Sequence, residues 1–410
     1  MSITTRALVG LLGVIVITAA AVVALSDTPA KPRPLSAATS PFEVVQEFPT
    51  AGPAQTAWKV HWGQATAKGL YITGAWFKAG PKESWMKVLG DTRLSDIFVP
   101  YHGHHYAGME KTRFWDLSNF QFDLLEATRQ DAGPHGELLG DPPVVVKEVH
   151  DRGVIWKDHL IGVTRRGEEL LLWGTLKAGN YAYIMQYGFR DDGSITCRLG
   201  ATARNYPQAP LETHVHNALW RVDIDVDGPD HNSVLLMRHH SPKSRNTPMQ
   251  SEDSHELFNG GKEGWADWAP EEFTMLHVVN TKRLNAMGEH MGYDLMPMRG
   301  GTSRHFGGEY EKCTLHDFYV TRSPHADSKP DDELDFKLLP TKYVNGESIV
   351  DTDVVLWYIS SMHHEPRSED GKLVKDTNGR YRWRGATLVM WGGFDLIPRN
   401  LFDGTPLYPY

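Results

Sequence analysis

From about Trp58 onward, apolar and polar residues alternate with period two through most of the chain. Successive side chains in a β-strand point to opposite faces, so this pattern builds half-buried sheets and excludes a helical bundle. Glu168–Thr175, Tyr181–Arg190, Ile195–Ala203, His214–Asp227, Ser233–Met237 and Val350–Met362 read as strands. Asp191-Asp192-Gly193 and Asn378-Gly379 are hairpin-turn signals. Few amphipathic windows exceed three helical turns; Asn119–Arg129 is the best short helix candidate. The 38 Gly and 25 Pro fit a loop-rich, mainly β architecture. No internal repeat points to a solenoid or a propeller.

Composition narrows the function classes. With 40% apolar residues and 13 Trp, the 410-residue chain can bury a large core, which excludes an intrinsically disordered protein. Two Cys exclude a disulfide-built scaffold. A net charge of −9 argues against nucleic acid as a partner, because neutralising phosphates takes clustered Lys and Arg. Arg6 precedes the uncharged run Ala7–Leu25, and Ala24-Leu25-Ser26 offers small residues for cleavage. Residues 1–26 therefore read as a secretory signal peptide, or as an uncleaved N-terminal anchor that gives the only membrane contact. Both place the protein outside the cytoplasm. Residues 27–55, rich in Pro, Ala and Ser at their start, are expected to be a flexible linker, and 56–410 one large domain.

Twenty His invite metal chemistry. The sharpest local signal is His214-Val215-His216, which puts two imidazoles on one face of a strand, where Cu, Zn, Fe or Ni can share them. Even positions continue as Ala218, Trp220, Val222, Ile224 and Val226, and odd ones end in Asp223, Asp225 and Asp227. The His pair is thus expected on the inward face and the Asp row on the outward face. That row suits either a solvated surface or a hard-cation site. By alternation, Asp353 and His364 also fall on opposite faces, so His364 is a candidate third ligand while Asp353 joins the acidic face. His102, His104, His105, His239 and His240 read as loop or structural residues.

At this point the chain resembles the topaquinone-containing copper amine oxidases, over their large C-terminal catalytic domain. The carrying stretches, in order, are Val99-Pro100-Tyr101, Phe114-Trp115-Asp116, Leu139-Gly140-Asp141 and Asp151-Arg152-Gly153 with Trp156-Lys157. Gly179-Asn180-Tyr181-Ala182-Tyr183, Gly200-Ala201-Thr202, the His-x-His strand through Asp227-Gly228, and Asp353-Val354-Val355-Leu356-Trp357-Tyr358 follow. His364-Glu365-Pro366-Arg367-Ser368-Glu369-Asp370 and Pro398-Arg399-Asn400-Leu401-Phe402-Asp403 complete the series.

The resemblance implies a twisted β-sandwich, the supersandwich, and a homodimer. It implies Cu(II) on His214, His216 and His364. It implies topaquinone derived from Tyr181, with Asn180 beside it, Tyr101 hydrogen-bonding the quinone, Asp116 as catalytic base and Phe114 as a gate. It implies a peripheral Ca2+ on Asp223, Asp225 and Asp353 with the carbonyls of Ile224 and Val354. The implied reaction takes a primary amine and O2 to aldehyde, ammonia and hydrogen peroxide. Unmodified side chains are not two-electron sinks, so such a reaction needs the cofactor.

The chain departs from the family pattern at the quinone motif. Ala182 stands where an acidic residue is usual after the Tyr, and Lys177 where Thr is usual four before it. The family's cysteine pair is missing, with Cys197 and Cys313 elsewhere. The alternative reading is a non-enzymatic or quinone-free copper-binding relative with a structural or partner-binding role. Tyr183, Tyr187, Phe189, Trp265 and Trp268 read as packing residues.

Overall fold

The computed structural model describes residues 42–51, 54–65, 69–101, 113–115, 123–178, 181–203, 213–240, 252–298, 301, 312–323 and 343–404. Three antiparallel sheets make up most of these. The largest has eleven strands. Its centre runs, in spatial order, His290–Met298, Met390–Arg399, Ile195–Ala203, Tyr181–Arg190, Val163–Ala178 and Pro143–Asp158. A six-stranded sheet runs Gly264–Ala266, Phe318–Arg322, Val354–His364, His214–Val222, Arg93–Tyr101 and Arg113–Trp115. A four-stranded sheet joins Phe42–Phe48, Thr56–Ala65, Gly69–Lys78 and Met86–Leu89.

One core cluster draws side chains from all three sheets. Trp220 of the six-stranded sheet meets Tyr187 and Phe394 of the large sheet edge-on, with ring centroids 6.1 and 5.5 Å apart. Trp58 of the small sheet lies 5.2 Å from Phe189. Edge-to-face aromatic packing of this kind locks stacked sheets in one relative position. The mainly β class read from the alternation and the sandwich implied by the resemblance are the observed architecture. Tyr187 and Phe189 are fully buried packing residues, as expected.

Several expectations need correction. Phe42–Phe48, assigned to the linker, is a strand paired along its length with Thr56–Trp62. Its Val44 and Phe48 share one buried face, a period-two signal hidden by the Pro-rich stretch before it. Within the candidate helix 119–129, the described residues from 123 on form a short strand at Asp123–Leu124, and one helical turn follows at Arg129–Ala132. That turn starts at Thr128, whose side chain and that of Asp131 form a reciprocal capping box. The His214 strand ends at Val222, and Asp223–Asp227 continues beside Lys87–Gly90 through backbone hydrogen bonds. The strand at Val350 begins instead at Val354, because Asp351 takes a left-handed φ of 56°. Cys197 and Cys313 are both buried and are not joined in a disulfide. The leader, residues 1–26, lies outside the described residues. No described helix is long and apolar enough to cross a membrane.

Candidate active site

Alternation and register together bring the histidines to one place. His214 and His216 project from the same face of their strand, and the antiparallel register sets His214 directly opposite His364. All three are buried. One nitrogen from each lies within 4.8 Å of the others. His364 Nδ1 and His214 Nε2 are 3.4 Å apart.

The large sheet closes the site from the other side. Tyr181 and Tyr183, two apart on one strand, direct their rings at the histidines. The Tyr181 hydroxyl lies 2.8 Å from His214 Nε2 and 2.9 Å from His364 Nδ1. The Tyr183 hydroxyl lies 2.8 Å from His216 Nδ1. His216 Nε2 is buried, with no hydrogen-bond partner among the described residues. His364 Nε2 faces the buried Asp370 carboxylate at 3.6 Å, beyond hydrogen-bond reach.

Burial, reinforced by His214 and His364, holds the His216 imidazole well below its usual pKa. Burial also lowers that of His364, against the pull of Asp370. Neutral imidazoles keep a lone pair free. Three such nitrogens converging in a buried pocket, one of them otherwise orphaned, fit a borderline transition metal such as copper and suit Mg2+ or Ca2+ poorly.

Tyr101 ends the strand Arg93–Tyr101, which lies beside the His strand and pairs with it at Asn217 and Phe98. Arg113–Trp115 pairs with Val99–Tyr101, so Phe114 and the chain leading to Asp116 run along the edge of this sheet. Asp116 and Asn180, and with them His102, His104 and His105, lie outside the described residues. Lys177 and Ala182 are direct cross-strand partners. They face away from Tyr181 and Tyr183, onto the other side of the large sheet. The two departures from the family motif are therefore one paired exchange, and neither points at the histidines.

The second expected cluster also forms. Oxygens of Asp223, Asp225 and Asp353 lie within 4.8 Å of one another. Of the two alternatives for the Asp row, the solvated surface is not the one observed: Asp223 and Asp225 are 8% and 3% exposed. Each carboxylate keeps one buried oxygen, Oδ1, without a hydrogen bond. The opposite oxygens are neutralised, Asp225 by Lys87 at 2.6 Å and Asp223 by Arg221 at 3.3 Å. Burial raises the pKa of all three acids. Ile224 bridges to Leu89, and Val354 pairs with Arg322.

Sequence reasoning missed the hydroxyl contact of Tyr183, which reads as core by pattern; its position two after Tyr181, on the same face, is the signal that finds it. Trp265 is not a packed core residue but 53% exposed, stacked on His316 at 3.6 Å beside a cavity of about 590 Å3. Trp268 is partly buried against the core, as expected. His239 and His240 lie on a strand and contact Asp253 and Ser254 near the surface.

A family model described as copper amine oxidase, enzyme domain, matches residues 148–378. Primary amine oxidase 2 of Arabidopsis thaliana is 24% identical over 408 residues, covering 85% of this chain and 57% of that protein. A primary amine oxidase of Klebsiella aerogenes is 24% identical over 275 residues, covering 57% of this chain and 36% of that one. Among solved structures, an Aspergillus nidulans amine oxidase superposes with a TM-score of 0.65 at 18% identity, covering 86% of this chain and 52% of that one. A copper-containing benzylamine oxidase of Hansenula polymorpha gives 0.61 at 15% identity, covering 87% and 61%. The chain thus spans little more than half the length of these two Arabidopsis and Aspergillus proteins.

Proposed function

The chain belongs to the copper amine oxidase family, and on that premise we propose that it oxidises a small primary amine with O2 and water, releasing aldehyde, ammonia and hydrogen peroxide. The observation that carries this reading is the Tyr181 hydroxyl, held 2.8 and 2.9 Å from ring nitrogens of two histidines of a buried three-histidine cluster. A phenol in that position is where a metal-dependent modification of the chain's own tyrosine needs one. When present, Cu(II) with O2 would convert the Tyr181 ring to topaquinone, which supplies the electrophile and two-electron sink that no unmodified side chain offers.

The remaining roles fall to the chain itself. His214 and His216 bind from one strand and His364 from its neighbour, so the ligand geometry is fixed by sheet register rather than by loops. Tyr101, at the end of the strand beside the His strand, is assigned the hydrogen bond that orients the Tyr181 ring, with Asn180 beside it. Asp116 is assigned as the base that takes the proton from the amine's α-carbon, and Phe114 as the gate to it. A carboxylate beside an apolar wall has its pKa raised toward neutrality, which suits a general base. The exchange of an acid for Ala182 is compatible with this chemistry, because position 182 lies on the far face of the sheet from Tyr181.

The acidic cluster is proposed to hold a structural Ca2+ through Asp223, Asp225 and Asp353 and the carbonyls of Ile224 and Val354. Its three orphaned oxygens support that assignment. Lys87 and Arg221, on the opposite oxygens, would hold the carboxylates in place. The charge-free run 7–25 supports an extracytoplasmic location, and the family resemblance supports a homodimer.

The test is peroxide release by the copper-loaded full chain on a panel of primary amines. Asp116→Asn is expected to form the quinone yet lose turnover by at least about a hundredfold, the usual scale for a positioned general base. Unchanged turnover removes Asp116 from that role. Copper binding with no peroxide from any amine supports the quinone-free reading instead.

A further inference from the structure

We infer that Tyr183 is a positioning residue for the metal, fixing the His216 imidazole so that Nε2, and not Nδ1, is presented to it; this rests on the copper reading above. The Tyr181 hydroxyl lies against His214 and His364, whereas His216 meets the edge of the Tyr181 ring, at 4.6 Å between centroids. A ring-edge contact leaves open which imidazole nitrogen carries the proton, and a hydrogen bond settles that. The Tyr183 hydroxyl lies 2.8 Å from His216 Nδ1, and the two rings meet edge-on at 5.7 Å. Tyr183 is 2% exposed, so water does not compete for that hydrogen bond. With Nδ1 as the protonated nitrogen, it donates to the Tyr183 oxygen, and the lone pair sits on Nε2. Nε2 is the buried nitrogen that lacks any other partner among the described residues.

A hydrogen bond on the nitrogen remote from the metal sets the tautomer and ring angle of a metal-binding histidine, and losing it typically weakens binding ten- to a hundredfold. The geometry also separates the two phenols of the strand. Tyr181 faces the nitrogens that converge, while Tyr183 holds a nitrogen on the outer side of the cluster. Only the first is placed for modification.

The experiment uses the full chain in a Tyr181→Phe background, which removes the quinone chemistry and leaves the histidines. Cu(II) affinity is measured against a competing chelator, with the Cu(II) EPR spectrum, for Tyr181→Phe and for Tyr181→Phe/Tyr183→Phe. The double variant is expected to bind Cu(II) about 10- to 100-fold more weakly and to show altered hyperfine splitting. Tyr187→Phe in the same background is the structural control. It deletes another buried hydroxyl, 3.4 Å from the Leu70 and Thr92 carbonyls, and should leave the spectrum unchanged. Equal affinity and an identical spectrum for the single and double variants would overturn the role of Tyr183. If Tyr181→Phe itself binds no copper, the copper reading falls, and the Tyr183 role with it. Should the double variant not fold, Tyr183→Phe alone, kept anaerobic so that no quinone forms, gives the same two readouts against wild type.

Discussion

At the scale of single residues, the site is a choice of nitrogen atoms. His214 offers Nε2 and His364 offers Nδ1 to the Tyr181 hydroxyl, while the outer nitrogens are turned to Tyr183 in one case and Asp370 in another. Tyr181→Phe is expected to abolish quinone colour and phenylhydrazine reactivity while copper content, measured by elemental analysis, stays at wild-type level. Colour that moves to Tyr183 would contradict the separation of the two phenols. His216→Ala is expected to lose bound copper, since two histidines and a phenol remain where the metal needs three imidazoles. The three histidines were legible because strand alternation fixes which side chains share a face. The ring nitrogen each one presents was not, because that depends on a partner from another sheet. Tyr183 shows this most clearly: in sequence it is an aromatic residue on an apolar face, and only the facing histidine makes its hydroxyl functional.

At the scale of elements, register does what spacing alone leaves open. Lys177 and Ala182 look like two independent departures in sequence, yet they are one cross-strand pair. The acidic residues were legible as a row on the face opposite the histidines. What covers that face was not, since alternation tells which side a residue takes and not whether another layer packs there. Gly90 is part of that cover. A Cβ on it would lie 2.6 Å from Asp225 Oδ2 and 2.9 Å from Asp223 Cγ. Gly90→Ala is therefore expected to destabilise the protein by about 1–3 kcal/mol in urea unfolding, and to reduce Ca2+ uptake measured by calorimetry. Wild-type stability and uptake would show that the strand edge yields and that the close approach carries no weight. The short capped turn at Thr128 was misplaced for a related reason. Its capping box spans four residues, too few for a periodic pattern to register.

At the scale of the whole molecule, the sheets share one core, and ionisable groups buried between layers make stability depend on pH. His277 is the clearest case away from the histidine cluster. Burial depresses its pKa from 6.5 to about 4, against Asp294 at 3.9 Å, with Arg399 and the His255 ring also facing it. Between those values the unfolded chain takes up a proton that the folded chain refuses, so stability falls as pH drops through that window. The expected loss from this group is about 3 kcal/mol. In urea unfolding from neutral pH down to about 4, His277→Gln should flatten the curve by that amount, and an unchanged curve would mean that another group sets it. The β class and the two-faced organisation of the His strand were visible in the alternation, whereas the pairing order of eleven strands was not, because non-local neighbours leave no trace in local pattern. In the proposed function the sandwich holds copper against Tyr181, so that this residue becomes the cofactor. This is tested most directly by loading metal-free full-length protein with Cu(II) in air, adding phenylhydrazine, and analysing the peptide that carries Tyr181 by mass spectrometry. A coloured protein with a hydrazine adduct on Tyr181 is the expected result. Stoichiometric copper on a colourless protein with Tyr181 unmodified would contradict the proposed function.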